Sequence, residues 1–192
     1  MKTLTHYTSL LNAFRILISK RVKMSNISNA NDYLEKNSIN GEFRTMMTFC
    51  CSKVEFSVPM WLSYSGRKDG AAIKFIFGED SAFEDLLLSN DQYPLESFSI
   101  EYIQNYVEEI GDDISKIGHC KDKSFEYEEE YRYLIDLELE YDYDLFCNIN
   151  LKCLKNIILV INMSDKEMVE TIMKSLDYPD GFLKIEINEY ID

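Results

Sequence analysis

Glycine and proline are scarce, seven and three in 192 residues, so the chain has no stretch that could serve as a flexible or polyproline linker and reads as a single domain over residues 1–192. Two histidines are poor stock for a metal site. Five cysteines, an odd number without a CxxC pair, fit neither a disulfide framework nor zinc ligation, and no metal is expected. No apolar run approaches the roughly 18 to 20 residues that a membrane span needs. The longest, IILVI at 157–161, suits a buried strand. The opening MKTLTHYTSLL is interrupted by Asn12 and Arg15 too early to act as a secretory signal, so the expectation is a soluble, cytoplasmic chain with no membrane contact. GxGxxG, the phosphate-binding GxxxxGK loop, HExxH and GxSxG are all missing, which removes the common nucleotide-binding and hydrolase signatures.

What the chain does have is acid. Thirty-four acidic against 20 basic residues leave a net charge of −14, which repels phosphate backbones and disfavours nonspecific nucleic-acid binding. The acid is concentrated in residues 79–144, while Arg15, Lys20, Arg21 and Lys23 form a local basic edge. With 46% hydrophobic residues there is enough apolar content for one sizeable core.

The pattern predicts a short strand at 3–7, then a helix capped by Ser9 with Leu10, Phe14, Leu17 and Ile18 on one face. Strands follow at VKMS, at 46–52 and at 71–77, with an ordered Ser- and Asn-rich loop leading into a short helix from Asp32. Residues 79–92 read as helix, 100–106 as strand, and 108–119 as loop or short helix. IILVI, a helix from Ser164 with a Ser164–Glu167 capping box, and a closing LKIEI strand complete the chain. This order predicts an α+β fold with a mostly antiparallel, split sheet flanked by a few helices.

Residues 124–135, SFEYEEEYRYLI, carry the most chemistry. Read as a strand, they place Glu126, Glu128, Glu130 and Arg132 on one face and Phe125, Tyr127, Glu129 and Tyr131 on the other. Such a row is either a solvated edge or the wall of a site. Three further patches hold polar or aromatic residues at strand ends or in loops: His6-Tyr7-Thr8-Ser9, Asn31-Asp32, and Met60-Trp61 through Tyr64 to Gly70.

Taken in order, these patches resemble the bacterial domain-of-unknown-function family 2971. Its HYTS-like opening is matched by His6-Tyr7-Thr8-Ser9, its FNDPxE-like loop by Ala30-Asn31-Asp32-Tyr33-Leu34-Glu35, and its CFS motif by Cys50-Cys51-Ser52. Its MWSHYA segment, with a glycine six residues after the Tyr, is matched by Met60-Trp61-Leu62-Ser63-Tyr64-Ser65 and Gly70, and its WxYExEYR pattern by Phe125 to Arg132. Tyr33, Ser63 and Phe125 depart from the family's Pro, His and Trp.

The chain is also similar, more distantly, to enzymes that transfer ADP-ribose from NAD, which carry a His, an aromatic and a late Glu in that order. His6, Tyr64 and Glu130 occur so, and Glu128-Glu129-Glu130 resembles the ExE element of some of those enzymes. The similarity implies an ADP-ribosyltransferase-like arrangement and a transferase or NAD-glycohydrolase of bacterial or phage origin. NAD would be the substrate, with no metal, and the partner a small-molecule nucleotide or a protein acceptor. In that scheme Glu130 stabilises the oxocarbenium-like ribose, His6 bonds the ribose, and Tyr64 or Trp61 stacks the nicotinamide. Tyr7, Thr8, Ser9, Asn31 and Glu128 line the nucleotide site, and Arg132 or the basic edge meets the pyrophosphate.

Each of these residues has a plainer reading. His6 can be a structural histidine, Trp61 and Tyr64 core aromatics, Asn31-Asp32 a helix cap, and the carboxylate row a structural ion-pair array ending in Arg132. The matching alternative function is a non-catalytic module that binds a nucleotide or a protein.

Overall fold

The computed structural model of the chain describes residues 1–29, 45–66, 69–89, 92–110, 116–137 and 144–189. In chain order its strands are β1 (Thr3–Ser9), β2 (Arg21–Asn26), β3 (Thr45–Ser52), β4 (Gly70–Phe77), β5 (Leu87–Leu88), β6 (Glu96–Ser99), β7 (Glu101–Ile103), β8 (Cys120–Asp122), β9 (Glu130–Leu137), β10 (Leu145–Ile149), β11 (Leu154–Ile161) and β12 (Leu183–Ile187). Its helices are α1 (Leu10–Ser19), α2 (Val58–Tyr64), α3 (Tyr106–Ile110) and α4 (Lys166–Met173). The architecture is α+β with a mostly antiparallel sheet and few helices. Among the described residues, no helix is long and apolar enough to cross a membrane.

The chain divides into two compact units. The first holds residues 1–21, 51–86 and 149–192. Its centre is β4, every residue of which is buried, flanked by antiparallel β1 and β11. A strand covered on both sides and both faces needs a near-continuous apolar run, which AAIKFIF supplies save for Lys74. Beyond β11 lies β12, parallel to it, a pairing that requires a crossover, and α4 makes that crossover.

The helix α1 begins where the sequence signals it, at Ser9, whose hydroxyl accepts from Asn12 N at 3.3 Å. Leu10, Ala13, Phe14, Ile16 and Leu17 face inward, but Ile18 is 61% exposed, so the expected apolar face is misplaced at that residue. Residues Val58–Tyr64, to which the sequence pattern assigned no element, form the helix α2, capped by the Ser57 hydroxyl at 3.5 Å from Met60 N and carrying Pro59 in its first turn, where a missing N–H costs nothing. The expected capping box at Ser164 is not formed: residues 163–165 make a 3-10 turn and α4 starts at Lys166, after Asp165. Among the described residues of 79–92 there is no α-helix either; Phe83–Leu86 coil as a 3-10 turn before β5. There the Asp85 carboxylate accepts from Ala82 N at 2.7 Å and closes the turn locally.

The second unit holds residues 22–50 and 87–148. Here β3 pairs with β2 antiparallel, β2 neighbours β10, and β9 pairs with both β3 and β6. The strand expected at 100–106 is shorter, β7, and lies parallel to β8 in a separate two-stranded sheet. Ile27, Met46, Ile103, Tyr106, Ile117, Cys120 and Leu134 form its core. The helix expected from Asp32 falls outside the described residues.

Candidate functional site

The carboxylate row is not one strand. Residues Lys123–Glu128 coil into a 3-10 helix, started by the Asp122 carboxylate accepting from Ser124 N at 2.9 Å. Glu129 then takes the left-handed conformation, φ 42°, and β9 begins at Glu130. The two-residue alternation expected over 124–135 therefore holds only from Glu130 onward, and Glu126 points to solvent. The cause is local: an Asp at 122 offers the backbone a capped turn that competes with the ladder.

The turn nevertheless brings Glu128 and Glu130 back to a common centre. Both are buried, as is Arg132, at 1%, 2% and 2% exposure. Arg132 lies two residues along β9 from Glu130, hence on the same face, and its Nε donates to Glu130 Oε1 at 2.7 Å. Its Nη1 donates to the carbonyl of Gly118 at 2.8 Å. Lys121, on β8, reaches Glu128 Oε2 at 2.8 Å and Glu130 Oε2 at 2.7 Å, with its ammonium 5.3 Å from the Phe125 ring centroid. The Cys50 thiol, on β3, is also hydrogen-bonded to Glu130. Tyr102 Oη accepts from Glu130 N at 2.7 Å.

Two carboxylates and two cations make a group of zero net charge, the only economical way to bury four ions. Burial alone would raise the Glu130 pKa, but Arg132 and Lys121 outweigh it and hold the carboxyl near 2. Lys121 shows the mirror image: burial disfavours its charge, yet Glu130 and Glu128 raise its pKa above the usual lysine value. Burial, reinforced by the charge of Glu130, pushes the Cys50 thiol up to about 12. Tyr102 is pushed to about 12 chiefly by burial.

Lys121, Cys50 and Tyr102 are absent from the sequence-based site. One signal pointed to Lys121: three acids beside a single Arg demand a second cation if any are buried, and Lys121 lies in the lysine-bearing HCKDK segment just upstream.

The remaining expected site residues, Asn31 apart, lie in the first unit. Tyr7, Met60 and Trp61 pack in one cluster with Ala72 and Val160, and the half-buried Phe56 and Tyr64 pack against it. Tyr7 Oη accepts from Ser57 N at 2.7 Å, and Thr5, two residues earlier, donates to Glu55 O at 3.1 Å. Both therefore sit on the sheet face that meets the segment leading into α2. Trp61 is fully buried, a core aromatic rather than an open stacking surface. His6 lies in the middle of β1, not at its end, and alternation turns its side chain to the face opposite Tyr7. The structure thus gathers Tyr7, Trp61 and Tyr64 but starts His6 on the other side of the sheet. Thr8 shares the face of His6 and is buried, and Ser9 is occupied as the helix cap. Asn31 lies outside the described residues.

NAD asks for cations at its pyrophosphate; of those named for that role Arg132 is buried and paired, while Lys20, Lys23 and Arg15 have only surface partners that solvent reaches. Arg132 is held by Glu130 and Gly118. Lys20 donates to Asp177 O at 2.8 Å, Lys23 lies 2.6 Å from Asp144 Oδ1, and Arg15 donates to Asn12 Oδ1 at 3.2 Å.

Comparison of the chain with protein-family models, with curated proteins and with solved structures finds no match in any of the three.

Proposed function

We propose that this chain is a non-catalytic protein-binding module that recognises a basic partner. The observation that carries the proposal is the burial and pairing of Glu130: one oxygen meets Arg132, the other Lys121, in a buried group of zero net charge. A carboxylate buried to 2% exposure and paired with two cations is closed off from a ribose hydroxyl or a developing cation, and freeing it means breaking a buried ion pair. The separation of His6 from Tyr64 by the sheet supports the same reading.

The sign of the partner follows from the net charge of −14, which attracts and orients a basic surface. Apolar side chains left exposed along the outer faces of two helices, Leu11 and Ile18 on α1 and Val58 and Leu62 on α2, supply contact area of the kind protein interfaces use. The likeness to family 2971 is compatible with this reading, since that family name carries no activity.

A second reading, an ADP-ribosyltransferase-like enzyme or NAD-glycohydrolase, is favoured by one observation: Glu130 is kept ionised, as electrostatic stabilisation of a ribosyl cation requires.

Calorimetry with NAD, a nicotinamide-release assay and salt-dependent capture of a basic protein separate the two. The binding module gives no heat with millimolar NAD, no release of nicotinamide, and capture that moderate salt abolishes. Release of nicotinamide by the wild type, lost in a folded Glu130→Gln variant, would reinstate the enzyme.

A further inference from the structure

The strand β12 has a single ladder partner, β11, among the described residues. The phase of that ladder is set at both ends: Ile157 N donates to Phe182 O at 2.8 Å, and Asn188 N donates to Ile161 O at 2.8 Å. In a parallel ladder the residues of one parity bond the neighbouring strand and those of the other parity bond outward. Even-numbered residues therefore face β11, and the N–H and C=O groups of Leu183, Ile185 and Ile187 face the open edge. Proteins usually guard such an edge with a proline, a bulge or an inward charge. LKIEI contains no Pro or Gly, and its register with β11 runs unbroken from Leu183 to Ile187.

The side chains alternate as well. Leu183, Ile185 and Ile187 are half-buried on one sheet face; Lys184 and Glu186 are exposed on the other. The sequence is a charge palindrome about Ile185.

We propose that the β12 edge pairs antiparallel with β12 of a second copy of this chain, about a two-fold axis through Ile185. In that register Ile185 opposes its own copy and Leu183 opposes Ile187, all residues whose backbone groups already point outward. Two bonds in each of three such pairs make roughly six. Lys184 of one copy then faces Glu186 of the other, twice over, at the closely spaced non-hydrogen-bonded positions where cross-strand charge pairs act most directly. An axis through Lys184 or Glu186 would set like charges opposite each other and use residues whose backbone groups are spent on β11. One register therefore satisfies both the hydrogen bonds and the charges, and a self-complementary patch of this kind is what a two-fold interface requires.

Glu186 is also held in place. Its two carboxylate oxygens each accept from Lys74 Nζ at 2.8 Å, so an incoming Lys184 meets a carboxylate already fixed on the sheet face.

Sedimentation velocity of the full chain, from micromolar to hundreds of micromolar, tests the proposal. The wild type shifts toward dimer with concentration. Ile185→Pro removes an outward N–H that the β11 ladder does not use, and the variant stays monomeric with its far-ultraviolet spectrum unchanged. Should that variant fail to fold, Lys184→Glu changes only an exposed side chain and replaces both charge pairs with Glu opposite Glu, weakening association by roughly tenfold or more. A wild type that stays monomeric throughout overturns the proposal, as does a dimer that Lys184→Glu leaves untouched.

Discussion

Glu130→Gln is the sharpest probe of the buried charge group. The substitution is nearly isosteric, so it tests charge and hydrogen bonding with little change in packing. Wild-type Glu130 accepts from Arg132 Nε and Lys121 Nζ, each at 2.7 Å. A glutamine offers one oxygen and one NH2, so one of the two cations meets a donor, and the buried group goes from neutral to a net charge of about +1. Breaking one side of a buried ion pair costs about 3–5 kcal/mol. An independent route agrees: a carboxyl held near 2 against an ordinary 4.5 is worth about 3 kcal/mol at neutral pH. For a chain of this length that corresponds to a melting temperature lower by roughly 6–20 °C.

The pH dependence has a definite sign. Because the folded-state pKa is depressed, this stabilisation is complete above about pH 4.5 and is lost as pH falls toward 2. The gap between wild type and Glu130→Gln is therefore wide at pH 7 and closes between about pH 5 and 2. Urea denaturation at several pH values reads it directly. A variant within about 1 kcal/mol of wild type at pH 7, or a gap that does not change with pH, would falsify the account of Glu130 as the centre of a buried ion-pair group.

Three further substitutions or reactions test other parts of the structure. Gly118 has φ +83°, and a Cβ there would lie 2.9 Å from Leu134 Cδ1 and 3.3 Å from Met46 Sδ, so Gly118→Ala is expected to cost about 1–3 kcal/mol in urea unfolding. A neutral effect would mean the turn carrying the Arg132 acceptor is far more pliable than described. Glu186→Gln leaves the buried Lys74 with a weaker partner and is expected to cost about 1–2 kcal/mol, a figure reduced because solvent reaches Glu186. Replacing Lys74 by Met in the same chain should recover much of the loss, and a double variant no better than Glu186→Gln would count against the pairing. Cys50, its thiol pushed to about 12, should react with a thiol-specific disulfide reagent at pH 8 much more slowly in the native protein than after unfolding. Equal rates would mean that the thiol is neither shielded by burial nor held by Glu130.

The elements that were legible from the sequence are those whose cause is local. Ser9 caps α1 because a hydroxyl three residues before an N–H needs no tertiary partner. The apolar runs at 71–77 and 157–161 had to be buried strands, and they are the adjacent strands β4 and β11. LKIEI alternates as an edge strand should, and it is β12. The failures came where two local programmes competed. Residues 79–92 and 124–129 have helix- and strand-compatible patterns respectively, yet Asp85 and Asp122 close turns on their own backbone and win.

The site divides along the same line. Composition alone made the protein acidic and denied it the common catalytic signatures, and alternation along β9 alone made Glu130 and Arg132 neighbours, because a strand repeats every two residues. The row of acids signalled a missing cation, but no local rule could bring Lys121 to Glu130 from β8, supply Cys50 from β3, or reveal that Glu128 joins them through a 3-10 turn. Whether a row of carboxylates is open to substrate or locked by cations depends on side chains that arrive from other strands, and burial then fixes the outcome, since charges withdrawn from water must find their counter-ions inside the fold.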